Sequence, residues 1–143
     1  MRKFGDLPQQ QRKDAFDLCF NAGVIAPEEN DAAFVLLKEN APIGVLVHQG
    51  PHWLSIATEA RSGFKTSTGR TAGQELMAHF FHSVKGKTFY TRGLTKHGQK
   101  LIDSLKQMAP IRQRRVYKDR KWMHLFELHE SFKDLIRPIL PLQ

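Results

Sequence analysis

The sequence predicts an α/β (α+β) domain: a mixed central sheet of about six strands with helices on both faces. Three observations carry this. Short apolar runs of strand length outnumber the helical stretches. Helix-period segments separate the middle strands, giving the strand–helix–strand units that a sheet with parallel pairs requires. The 143 residues are 41% apolar, the size and composition of one globular domain able to bury roughly two-thirds of its unfolded surface.

Pro8 opens a helix from about Gln9 to Asn21, since a first turn has no use for the N–H that proline lacks. Ala15, Phe16, Cys19 and Phe20 fall on one face of it, and Gly23 is its stop. Residues 26–31 read as a polar loop or short helical turn. Ala33 to Leu37 and Ile43 to His48 are apolar runs joined by the polar turn Lys38-Glu39-Asn40-Ala41-Pro42, a β-hairpin. Gln49-Gly50-Pro51 breaks the chain, and Trp53 to Thr58 reads as a third strand.

Residues 59–73 form a Gly/Ser/Thr-rich loop carrying Arg61, Lys65 and Arg70. A helix follows from Thr71 to Val84, with Leu76, Met77, Phe80, Phe81 and Val84 on one face at period 3.6. Lys87 to Thr91 reads as a strand. Thr95 caps a helix from Lys96 to about Met108, with Leu101, Ile102, Leu105 and Met108 inward, and Pro110 ends it. Ile111 to Tyr117 and Trp122 to Leu128 form a second hairpin around Lys118-Asp119-Arg120-Lys121, and Glu130 to Ile139 reads as a short terminal helix.

Cys19 is the one cysteine, which excludes an intrachain disulfide and fits a reducing compartment. Polar residues follow Met1-Arg2-Lys3, so no secretory signal is visible, and no apolar run reaches the ~20 residues of a membrane span. The expectation is a cytoplasmic protein without a membrane partner. The net charge of +8 is split unevenly: −3 over residues 1–60 and +11 over 61–143. Such a basic half draws anionic partners, whether nucleic acid, a phosphorylated cofactor or an acidic protein surface.

Four constellations bear on chemistry. The loop from Gly63 to Gly73 joins a strand to a helix, where amide N–H groups and the helix dipole hold phosphate. It is not a P-loop, because its glycines are one residue too far apart and Arg70 stands where that motif has lysine. His79 and His82, at i and i+3, lack a third ligand at useful spacing, so no metal is expected. Cys19, on an apolar helix face, reads as packing rather than nucleophile. Arg112, Arg114, Arg115, Lys118, Arg120 and Lys121 surround the last hairpin with Tyr117 and Trp122 interleaved. That pattern fits either a solvated hairpin with inward aromatics or a surface that contacts nucleic acid or an acidic partner.

The element order resembles that of the GNAT N-acyltransferase superfamily. The hairpin segment Asn40-Ala41-Pro42-Ile43-Gly44-Val45 resembles its early hairpin. Trp53 to Thr58 stands where its central cofactor strand would be, and Arg70-Thr71-Ala72-Gly73 matches the start of its pyrophosphate loop. Gly93 to Leu105 and Met123 to Leu128 resemble its later helix and closing strand. The likeness covers roughly residues 33–129. It is nearest to the small GNAT-like internal virion proteins of short-tailed phages, which allows a virion-associated location.

The resemblance implies an acyl-CoA-dependent N-acetyltransferase. Acetyl-CoA would be held by Ile56, Ala57, Thr58, Lys65, Gly69, Arg70, Thr71, Ala72 and Gly73. Glu59 would be the base, and Tyr90 or Tyr117 the acid. The alternative it leaves open is a non-catalytic virion or nucleic-acid-binding protein of the same fold. Two departures stand out: Glu75 replaces a small residue of the loop motif, setting a carboxylate near the pyrophosphate, and Leu101 to Leu105 lacks the family's tyrosine.

Overall fold

The computed structural model describes residues 1–28, 32–49, 53–59, 62–83, 88–91 and 95–143. The strands are β1 (Arg2–Lys3), β2 (Ala32–Lys38), β3 (Ala41–Gln49), β4 (Trp53–Thr58), β5 (Thr88–Thr91), β6 (Ile111–Lys118) and β7 (Lys121–Leu128). The α-helices are α1 (Gln9–Asn21), α2 (Ala72–Ser83) and α3 (Lys96–Lys106). The protein is therefore mixed α+β.

The strands run in the order β1-β2-β3-β4-β5-β7-β6. β1 to β4 are antiparallel neighbours, and so are β5, β7 and β6. The two sets meet through β4 and β5, which are parallel and register at Trp53 opposite Tyr90. Seven strands stand where about six were expected. The addition is β1, whose Arg2 and Lys3 lie opposite Val35 and Phe34. Two charged residues carry no strand pattern, so only the partner strand defines them.

Both faces of β2 and β3 are covered, which explains their unbroken apolar runs. On one face, Ala33, Val35, Val45, Val47 and Ala57 pack against Ala15 and Cys19 of α1. On the other, Phe34, Leu36, Leu46 and Leu54 share the larger core with α2 and α3 through Leu76, Phe80, Phe81, Ile102 and Leu105. The expected apolar face of α1 is corrected here. Ala15 and Cys19 are buried, but Phe16 and Phe20 are 48% and 75% exposed. A stripe of small residues at i, i+4 meets a sheet face of Val and Ala. A neighbour one position on is rotated about 100° away from that contact.

The hairpins turn on Glu39-Asn40 and Asp119-Arg120, all four at positive φ between 52° and 65°. Two consecutive left-handed residues match the right-handed twist of the flanking strands. The register shifts between Leu36 and Leu37, where Leu37 faces Pro42, so a bulge accommodates a residue with no N–H to give. The expected terminal helix is shorter than its sequence reading: a 3-10 helix covers Glu130–Leu135, and an irregular tail follows.

Gly44 marks the tightest sheet–helix approach. A Cβ there would lie 2.8 Å from Leu76 Cδ1, and Leu76 is fully buried. Gly44→Ala is expected to cost about 1–3 kcal/mol by overpacking, read from urea denaturation midpoints. An unchanged midpoint would show that Leu76 moves aside freely.

Candidate functional site

Beyond Trp53, β4 registers with β3 but with no β5 residue among the described residues. Ligands of open α/β sheets settle beyond the carboxyl ends of strands. A cavity of about 610 Å³ lies there, lined by Ile56, Ala57, Thr58 and Glu59 and by the beginnings of α2 and α3.

The start of α2 is a capping box. Gln74 N–H donates to Thr71 Oγ1 at 3.3 Å, and Thr71 N–H donates to Gln74 Oε1 at 2.9 Å. The first intrahelical bond runs from Glu75 N–H to the Thr71 carbonyl at 3.1 Å. Ala72 and Gly73 hold first-turn N–H groups with no intrahelical acceptor, and both residues line the cavity. The start of α3 is capped by Thr95, whose Oγ1 accepts from Gly98 N–H at 3.0 Å. Thr95, His97, Gly98, Lys100, Leu101 and Ser104 line the same cavity. Gln74 Nε2 donates to Ser104 Oγ at 3.1 Å, tying the start of α2 to the last turn of α3. A Cβ on Gly73 would stand 3.2 Å from Leu101 Cδ1, so the small residue allows this close approach.

Two helix N-termini thus present their positive ends to one space. Lys65 and Lys100 line it, with Glu59 the one carboxylate among its described lining residues. The ensemble suits a ligand with an anionic part and an extended arm lying against β4.

Of the nine residues expected to hold a cofactor, Ile56, Ala57, Thr58, Lys65, Thr71, Ala72 and Gly73 line the cavity, as does Glu59. Gly69 and Arg70 do not. Gly69, at φ +83°, closes a turn in which its N–H donates to the Thr66 carbonyl at 2.9 Å. Arg70 N–H donates to Thr66 Oγ1 at 3.0 Å, and its guanidinium turns away to Glu75 and the Arg137 carbonyl. Tyr90 lies under Lys118, whose Nζ is 4.6 Å from the ring centroid, and Tyr117 packs beside Trp122 at 5.4 Å. Neither tyrosine lines the cavity. The sequence reading missed Gln74, Thr95, His97, Lys100 and Ser104. The spacing Thr71-x-x-Gln74 and the i, i+3, i+4 pattern of His97, Lys100 and Leu101 were the signals available.

The expected clash of Glu75 with a pyrophosphate is also corrected, because this side chain points elsewhere. Glu75 is fully buried, and its carboxylate accepts from Ile139 N–H at 2.9 Å and Leu140 N–H at 2.6 Å, with Arg70 Nη1 at 3.4 Å. His79 and His82 serve the C-terminal segment too. His79 Nε2 lies 2.7 Å from the Leu140 carbonyl and His82 Nε2 lies 2.8 Å from that of Lys133. No group of three or more metal-ligating side chains occurs among the described residues.

Burial pushes the His79 pKa below its ordinary 6.5, against the pull of the Leu140 carbonyl and Glu75. The unfolded chain therefore binds a proton that the folded state resists. Stability from this group is complete above about pH 6.5 and is lost as pH falls towards the lowered native value. The expected result is a melting temperature that drops on acidification below pH 6.5, with a smaller drop in His79→Gln. Equal drops in both proteins would assign the effect to other groups.

No helix among the described residues is long and apolar enough to cross a membrane. A scan against protein-family models, a search of curated proteins and a search of solved structures each return no match for this chain.

Proposed function

We propose that the chain is a GNAT-like, acyl-CoA-dependent N-acyltransferase that binds its cofactor in the cavity at the end of β4. One observation carries the reading: two capped helix N-termini, Lys65, Lys100 and the end of β4 surround a single cavity. A diphosphate is the anion such termini hold best, through the N–H groups of Ala72 and Gly73 and the positive ends of both helices. The pantetheine arm, an extended amide chain, pairs with the backbone of Ile56 to Thr58 as an added strand would. The cavity is lined by that stretch of β4, which supports this placement of the arm.

In the transfer, the amine lone pair of an acceptor attacks the thioester carbonyl carbon. The C–N bond forms, the C–S bond breaks, and CoA leaves as a thiolate. The amine loses a proton, for which Glu59 is the lining carboxylate. The thiolate gains one, for which His97 replaces the expected tyrosines, since it lines the cavity and they do not.

The test is a calorimetric titration with acetyl-CoA at moderate salt, with ADP as control. Acetyl-CoA is expected to bind in the micromolar range. Lys65→Glu with Lys100→Glu is expected to weaken it more than tenfold, while Arg70→Ala leaves affinity unchanged. Glu59→Gln should then slow transfer to amines without loss of binding. A folded protein that binds no acetyl-CoA would end the proposal. Equal affinity for ADP would reduce it to a nucleotide diphosphate site.

A further inference from the structure

No residue of the last hairpin, 111–128, is among the described residues that line the cavity. β6 is the edge of the sheet, and among the described residues only β7 pairs with it. Its inner end is covered: Gln113 bonds to Gln99 and Lys106 of α3, and Ile111 and Phe126 are buried. Its outer end is not. Tyr117 and Trp122 face each other across the ladder, on the same side as Gln113 and Phe126, yet they are 62% and 59% exposed. Their rings are 5.4 Å apart, and the Arg115 guanidinium lies 5.5 Å from the Trp122 ring centroid. Arg120 sits in the turn and Lys121 follows it, both exposed, and Asp119 is the lone carboxylate between Arg115 and His124.

Charge alone would account for Lys and Arg here, since edge strands carry them to discourage pairing with other chains. It does not account for two large aromatic rings held in water side by side. Arg114 is already matched by Glu127 at 2.9 Å, whereas Arg115 lies over the Trp122 ring and Arg120 and Lys121 stand exposed at the adjoining turn. A partner that satisfies both must offer flat π faces joined by regularly spaced negative charges. An acidic peptide supplies only the charges. A duplex keeps its base faces stacked inside.

We propose that the outer end of the β6–β7 hairpin binds single-stranded nucleic acid, with Tyr117 and Trp122 stacking bases and Arg115, Arg120 and Lys121 holding phosphates. The surface is separate from the acyl-CoA cavity, so the inference stands whether or not that reading holds.

The experiment is fluorescence anisotropy of a labelled fifteen-residue oligo-dT against the full chain over a series of salt concentrations. Competitors are a duplex of equal length, poly-glutamate and anionic phospholipid vesicles. Trp122→Ala is expected to weaken binding roughly five- to a hundredfold with little change in salt slope, as loss of one stacking contact implies. Arg120→Ala with Lys121→Ala is expected to make the log–log salt slope shallower by about 1.4, two phosphate contacts at roughly 0.7 each. All three side chains are exposed, so circular dichroism should show folded variants. No binding of oligo-dT overturns the proposal. So does binding that Trp122→Ala leaves intact, or stronger competition by the duplex, poly-glutamate or vesicles.

Discussion

Glu75→Ala is expected to lose about 3–5 kcal/mol of folding stability, the range for removing one partner of a buried charged network. For a chain of this size that lowers the melting temperature by roughly 10 °C or more. The Glu75 carboxylate is fully buried and gathers the backbone N–H groups of Ile139 and Leu140. Those two bonds, at 2.9 and 2.6 Å, are shorter than the 3.4 Å approach of Arg70, so the backbone is the main partner. Alanine leaves two N–H groups and a guanidinium only 16% exposed without their acceptor. Glu75→Gln keeps one oxygen for the backbone and should lose less. Thermal unfolding followed by circular dichroism separates the three proteins. A loss below 1 kcal/mol in the alanine variant would mean that residues 136–142 are held by their apolar contacts and by the bonds of His79 and Arg70 to the Leu140 and Arg137 carbonyls.

Phe80→Ala is expected to cost a similar 3–5 kcal/mol, for a different reason. Phe80 is fully buried on α2 and meets three aromatic rings: His48 of β3 at 5.2 Å, Phe81 at 5.5 Å and Phe89 of β5 at 5.4 Å. β3 belongs to the first antiparallel set and β5 to the second, so this one side chain bridges the two sets. Its removal opens a void among these rings. Denaturant unfolding should show the loss. A loss below 1 kcal/mol would show that the neighbouring rings close the void. Phe80→Leu fills most of the volume and should recover most of the stability.

Much of the fold was legible because local and tertiary preferences agree. Trp53 to Thr58 alternates and is bounded by turn residues, and the strand has those bounds. The hairpin tips were legible from polar turns, although Glu39 and Arg120 are unusual residues for left-handed backbone. What failed depended on distant partners. β1 exists because β2 offers an edge. Phe16 and Phe20 share a helix face with Ala15 and Cys19 by arithmetic, but the sheet beneath receives only the small side chains. Residues 136–142 follow no helical path because Glu75 and His79, some sixty residues earlier, take their backbone groups.

The site was legible where backbone made it. A glycine- and threonine-rich loop running into a helix marked Thr71 to Gly73, and the preceding strand marked Ile56 to Thr58. Side-chain roles were not legible. Arg70 and Glu75 looked like partner and opponent of one phosphate, and both turn instead to the C-terminal segment. Tyr90 and Tyr117 were singled out by residue type, which says nothing about the sheet face or end on which a ring emerges.

Cys19 gives the molecule a chemical clock. It is fully buried beneath α1, and burial raises its thiol pKa to about 11, so at neutral pH it is a protonated, shielded sulfur that alkylating reagents attack only after opening. It belongs to the smaller apolar cluster, while Glu75, Phe80 and the C-terminal segment act on the opposite face of the sheet. The rate of iodoacetamide capture therefore reports whether a disturbance on one face travels through the sheet. A Glu75→Ala protein that merely frees its last residues would leave Cys19 unreactive. One that unfolds as a unit would expose the sulfur at the rate of global opening. A single cysteine with no partner thus distinguishes local fraying from cooperative collapse.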